Sequence, residues 1–157
     1  MSEINLLLEH SVEVNVSPAF AWQFRTDISN WNDPPARFAL EGPFHAGSRG
    51  TTQLPGQDIW HWRICDVRQS KSLVTEMQLD RATLTFEGYF DSISENRTKM
   101  TQRIVLSGDN AGAYMEQVKA GFGPNLPSGM ERIAAEMVTA QNRLNSPLNI
   151  RSPYCSE

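Results

Sequence analysis

The stretch SGMERIAAEMVTAQNRL, residues 128–144, repeats apolar side chains at helical spacing. Met130, Ile133, Ala134, Met137, Val138 and Leu144 form one stripe on a helix of roughly four turns. Ser128 and Glu131 form a capping-box pattern at its start. A helix with a single apolar stripe must bury that stripe against something. What precedes it is mostly strand, so the fold class is α+β.

Immediately upstream, NAGAYMEQVKAGF (110–122) carries Met115, Val118 and Phe122 at similar spacing. GFGPNLP (121–127) predicts a break, because glycine loosens the backbone and proline removes amide donors. Further back lie six stretches of strand character: ARFALEG, SRGTTQL, DIWHWRICDV, SLVTEMQLD, ATLTFEGYFDSI and RTKMTQRIVLSG. Their connections are short, which implies an antiparallel meander. A seventh strand, LEHSVEVNV, opens the chain. SPAFAWQF then starts a helix, with Ser17 as cap and Pro18 at the first helical position. DISNWNDPP reads as a second short turn capped by Asp27 or Ser29 and ended by Pro34–Pro35. NSPLNIRSPYCSE has no period and reads as a tail.

The chain has 157 residues, 39% hydrophobic and 20% charged, which suits one domain over residues 1–145 followed by a tail over 146–157. The net charge of -4 gives a nucleic acid no basic footprint to meet. No apolar run approaches the roughly 20 residues of a membrane span. INLLLE is too short for a signal peptide. Cys65 and Cys155 make neither a disulfide framework nor a zinc site, and reduced thiols suit a cytoplasmic protein. His10, His45 and His61 lack ligand spacing, so no metal is expected, and no cofactor. Glycine-rich GPFHAGSRG lacks the Lys-Ser/Thr of a phosphate loop and reads as a turn. No Gly-x-Ser-x-Gly supports nucleophilic catalysis.

Several of these stretches resemble the START-like, helix-grip superfamily (SRPBCC), in particular its polyketide cyclase/dehydrase-like members. They are VSPAFAWQF with DISNW, LEGPFHAGSRG, TQRIVLSG and SGMERIAAE, in the family's order, over residues 8 to about 140. Each reports fold and none is an active-site signature. The resemblance implies a curved antiparallel seven-stranded sheet gripping the long C-terminal helix, with two short helices after the first strand and an internal cavity.

Alternation assigns each strand a face. The inward set is His10, Val12 and Val14; Phe38 and Leu40; Trp60, Trp62 and Ile64; Leu73, Thr75, Met77 and Leu79; Leu84, Phe86 and Phe90; and Met100, Gln102, Ile104 and Leu106. Opposite are Arg63, Glu76, Gln78, Glu87, Tyr89, Asp91, Lys99 and Arg103, which suit cross-strand charge pairs on a solvated face. Expected ligand contacts are His10, Trp60, Trp62, Met77, Phe86, Phe90, Met100, Gln102, Met115, Phe122 and Met130. The large apolar groups among them also read as plain core. Methionine walls adapt to irregular ligands, and indoles supply flat area with a polar handle. His10 is either a satisfied core histidine, a ligand hydrogen bond or the one candidate acid/base. Asp66, at the end of the tryptophan strand, is the only carboxylate candidate to join it. Arg37, Arg49 and His45 are placed near the mouth.

The leading function is binding of a small apolar or aromatic molecule between sheet and helix. The resemblance implies two alternatives: a cyclase/dehydrase-like enzyme using an inward polar residue, and a module of the kind that activates a chaperone's ATPase. Expected partners are the small ligand and a second copy in a homodimer, with no nucleic acid and no membrane span.

Overall fold

A computed structural model describes residues 4–31, 33 and 35–145. Its elements run β1 (Ile4–Val14), α1 (Pro18–Arg25), a 3-10 turn (Ile28–Asn30), β2 (Arg37–Leu40), β3 (Arg49–Gln53), β4 (Trp60–Arg68), β5 (Ser72–Leu79), β6 (Ala82–Ser94), β7 (Arg97–Ser107), a second 3-10 turn (Ala111–Ala113), α2 (Met115–Phe122) and α3 (Asn125–Asn145). All strand pairs are antiparallel, in the spatial order β1-β7-β6-β5-β4-β3-β2. The sheet is not closed, since β1 and β2 are its two edges. It curves around the C-terminal helix, so the α+β helix-grip architecture is present. The expected tail, with Cys155, lies outside the described residues.

Local chemistry explains the helix ends. The Ser17 hydroxyl accepts from the Phe20 amide at 3.1 Å, with Pro18 at the first helical position. Asp27 caps the following 3-10 turn by accepting from the Ser29 amide. At the C-terminal end of α1, Asn30 Nδ2 donates to Phe24 O at 3.0 Å and Trp31 Nε1 donates to Arg25 O at 2.8 Å. These side chains satisfy carbonyls that a helix end leaves open, and they fold the turn back onto α1.

The C-terminal helix is broken at GFGPNLP, with Gly123 and Pro124 between α2 and α3. A correction concerns where α3 begins. It starts at Asn125, not at Ser128, and Ser128 Oγ donates to Asn125 O at 3.4 Å from inside the first turn. Pro127 permits this, because the first-turn amides have no intrahelical acceptor to lose. The helix is 21 residues long, about six turns and not four.

The outer face of the sheet matches the charge pattern. Arg63 pairs with Glu76 at 2.9 Å, Arg103 lies between Glu9 (3.1 Å) and Glu87 (3.6 Å), and Arg97 pairs with Glu13. Tyr89 donates to Glu87 at 2.7 Å. One strand departs from strict alternation. A bulge between Ile64 and Asp66 leaves Cys65 without a cross-strand partner, puts Asp66 opposite Val74 on the outer face, and returns Val67 to the inner face opposite Leu73. Asp66 there pairs with Arg68 at 3.2 Å. No carboxylate therefore faces inward from the described strands.

The interior is not one continuous core. One cluster joins α1 to α3 over the sheet: Val14, Val16, Ala21, Trp22, Leu73, Phe90, Met100, Met130 and Met137. A second gathers under α2: Ala82, Leu84, Ile104, Leu106, Ala111 and Val118, with Met77, Phe86, Met115 and Phe122 packed against it. Leu126, in the first turn of α3, packs against both. No helix among the described residues is long and apolar enough to cross a membrane.

Candidate functional site

The two clusters meet along one row of the sheet. His10 on β1 stands opposite Gln102 on β7, Gln102 opposite Gly88 on β6, Gly88 opposite Leu73 on β5, and Leu73 opposite Val67 on β4. Two residues along each strand in one direction lie Val12, Met100 and Phe90 of the first cluster; in the other lie Leu8, Ile104 and Phe86 of the second. Since side chains alternate with period two, His10 and Gln102 face inward with these neighbours. Gly88 contributes no side chain to the row, and a Cβ placed there would meet nothing closer than Leu73 Cγ at 3.8 Å.

The polar groups of this row are unmatched by the protein. His10 and Gln102 are partly exposed, and neither side chain has a hydrogen-bond partner among the described residues. Thr75, one row away opposite Phe86, is buried and its hydroxyl is likewise unpartnered. None of these polar atoms is sealed off, so each borders space that a water-sized group can reach. They are therefore open to water or to a polar group of a ligand. No inward-facing strand position among the described residues carries Lys, Arg, Asp or Glu.

The other expected residues divide. Phe86 stacks edge-on against Phe122 at 5.4 Å, with Met77 and Met115 in the same cluster. Phe90 meets Trp22 edge-on at 5.4 Å, with Met100 and Met130 beside it. Trp62 is buried but sits apart from both clusters, stacked on Trp31 at 5.5 Å and donating through Nε1 to Thr52 Oγ1 at 3.0 Å. Trp60 differs from expectation. It shares the face of Trp62, yet it is 38% exposed, because it is the first residue of β4 and neither hydrophobic cluster extends over it. His45 is exposed, with Nδ1 near Ala46 O (3.0 Å) and Ser48 Oγ (3.3 Å). Arg37 on the edge strand β2 and Arg49 on β3 are exposed on the outer face, where Arg49 faces Arg63.

Different cations occupy the edge of the grip. Arg25, the last residue of α1, lies over the Trp31 ring at 4.8 Å. Burial lowers its guanidinium to about 10, the positive Arg132 adds to that, and Glu136 opposes it. Arg132 on α3 reaches Asp33 at 3.0 Å and Glu136 at 3.9 Å. A cleft of about 480 Å3 opens beside this pair, with Asp33, Pro35, Ala36 and Leu54 on one wall and Asn125, Ser128, Gly129 and Arg132 on the other. None of the expected ligand contacts lines it. Sequence reasoning missed Trp31, Arg25 and the Arg132–Asp33 bridge, which depend on contacts between distant segments. Gly88 was findable: it interrupts the inward run Leu84, Phe86, Phe90.

No family model matches the sequence, and no curated protein matches it significantly. Solved structures do share the fold. An aromatase/cyclase, ZhuI, from a Streptomyces species superposes with a TM-score of 0.67 at 15% identity, covering 92% of this chain and 96% of that one. Norcoclaurine synthase from Thalictrum flavum, in complex with dopamine and hydroxybenzaldehyde, gives 0.65 at 12% identity, covering 89% and 88%. A protein from Nitrosomonas europaea gives 0.64 at 14% identity, covering 87% and 96%. The chain shares the START-like fold with these structures.

Proposed function

We propose that the protein binds a small hydrophobic or aromatic molecule between the sheet and the C-terminal helices. The observation that carries this is the split interior. Two apolar clusters flank a row that contains a glycine and two polar side chains without partners among the described residues, and Leu126 packs against both clusters. Apolar side chains in such a row would add buried area, so the polar pair and the glycine are not the choice that favours folding most. The likeness to norcoclaurine synthase, which holds two small aromatic compounds, and to an aromatase/cyclase supports the same reading. The contacts assigned to the ligand are His10, Gln102, Phe86, Phe90, Met100 and Met130, with Met77, Met115 and Phe122 behind them. An acid/base role for His10 has less support, because no inward carboxylate is available to orient its ring.

The neutral dye N-phenyl-1-naphthylamine tests the reading. Saturable fluorescence enhancement is expected, and Met130→Trp, which places a larger side chain between α3 and the sheet, should abolish it while the fold survives by circular dichroism. Absence of saturable binding, or binding that Met130→Trp leaves unchanged, would remove the proposal.

A further inference from the structure

Resting on that ligand-binding reading, we infer that the ligand is a neutral hydroxyarene whose hydroxyl bridges His10 and Gln102. Direct partners on an antiparallel ladder have Cα atoms about 4.5–5.5 Å apart, so the imidazole and the amide enter the interior side by side. A neutral imidazole offers one donor and one acceptor, and a primary amide offers both kinds. Neither group spends any of this capacity on the described protein. A hydroxyl is the smallest group that can donate to one and accept from the other. A pure hydrocarbon would leave both unmatched, at the cost of a buried orphan polar group.

The charge of the ligand follows from what surrounds the row. The inward strand positions at this level carry no Lys, Arg, Asp or Glu among the described residues, and the helix residues over them are Met115, Val118, Phe122, Leu126, Met130 and Met137. A carboxylate placed there would lose its hydration and find no counter-charge. The Arg25 guanidinium lies over the Trp31 ring, which stacks on Trp62 of β4, outside the row. The ring system is apolar because the row is bounded along the strands by Phe90 and Met100 on one side and Phe86 and Ile104 on the other. Met100 and Ile104 are four residues apart, about 13 Å along β7, which suits one or two fused rings.

Equilibrium dialysis with naphthalene, 2-naphthol and 2-naphthoate decides the matter. The wild-type protein should bind 2-naphthol about tenfold more tightly than naphthalene, the scale of one to two net hydrogen bonds, and more tightly than 2-naphthoate. Gln102→Leu should erase most of that preference, and the His10→Leu/Gln102→Leu pair all of it, with naphthalene binding retained. Equal affinity for naphthol and naphthalene would overturn the inference and leave the hydrophobic site standing. So would a preference for 2-naphthoate, or a naphthol preference that survives both substitutions. Binding of none of the three would count against the ligand-binding reading itself, and against this inference with it.

Discussion

The Trp62 indole lies over Gly50, its direct partner across the β3–β4 ladder: a Cβ on Gly50 would stand 2.3 Å from both Cζ2 and Cη2 of the ring. The ring has little freedom to yield. Its Nε1 is bonded to Thr52 and its face is stacked on Trp31. Glycine is required at position 50 by this close approach.

Gly50→Ala should therefore destabilise the protein by about 1–3 kcal/mol, the usual range for forced overpacking. Urea denaturation measures it. The same change made in a Trp62→Leu background should cost less than about 0.5 kcal/mol, since the colliding ring is gone. An equal loss in both backgrounds would show that the ring is not the cause.

Thr98 is completely buried, and its hydroxyl donates to Val16 O at 2.8 Å, fastening the segment after β1 to β7. Thr98→Val keeps the shape and removes the donor. A loss of about 1–3 kcal/mol is expected, because a buried carbonyl is deprived of this donor. Thr51→Val is the comparison: that partly exposed hydroxyl has no partner, so its loss should stay within about 0.5 kcal/mol. Similar effects at the two positions would contradict the assignment.

Most strand faces were legible in the sequence because a half-buried strand writes its orientation with period two, and the outer charges are acidic on β5 and β6 and basic on β7. The bulge at Cys65 was not legible, since one extra residue leaves no compositional mark, and it moved Asp66 to the outer face. Trp31 was read as part of a helical motif. Its role appears only when the 3-10 turn folds against β2 and β4, where Phe38 and Phe44 meet it edge-on at 5.6 and 6.2 Å. His10 and Gln102 were legible as inward polar residues. That they adjoin each other follows from the β1–β7 register, which alternation alone does not fix.

The thiol of Cys65 is pushed up to about 11, first by burial and then by the neighbouring Glu76 carboxylate, with Arg63 acting in the opposite sense. The thiolate is the reactive form. At pH 8 only about one Cys65 in a thousand is ionised, against about a quarter of ordinary cysteines. Iodoacetamide should then label Cys65 on the order of a hundredfold more slowly in the folded than in the urea-unfolded protein, with peptide mapping to separate it from Cys155. Because the folded state holds this proton more tightly, stability should fall as pH rises from about 8.5 toward 11. Glu76→Gln should speed labelling of the folded protein; an unchanged rate would exclude the carboxylate as a cause.

The unliganded protein should become more stable when its site is damaged. Gln102 faces Met100 and Ile104 along its strand and His10 across the ladder, and its amide has no partner among the described residues. Leucine at that position adds apolar area and removes the unmatched donors and acceptor, so Gln102→Leu should raise stability by about 0.5–1.5 kcal/mol. His10→Gln exchanges one unpartnered polar group for another and should change stability by less than about 0.5 kcal/mol. Both follow from the principle that residues held for binding are not those best for folding. Thermal and urea unfolding of the ligand-free proteins measure the effect. A destabilisation by Gln102→Leu of more than about 1 kcal/mol would mean that the amide supports the fold, and that the row across His10, Gln102 and Gly88 is a packing feature and not a binding surface.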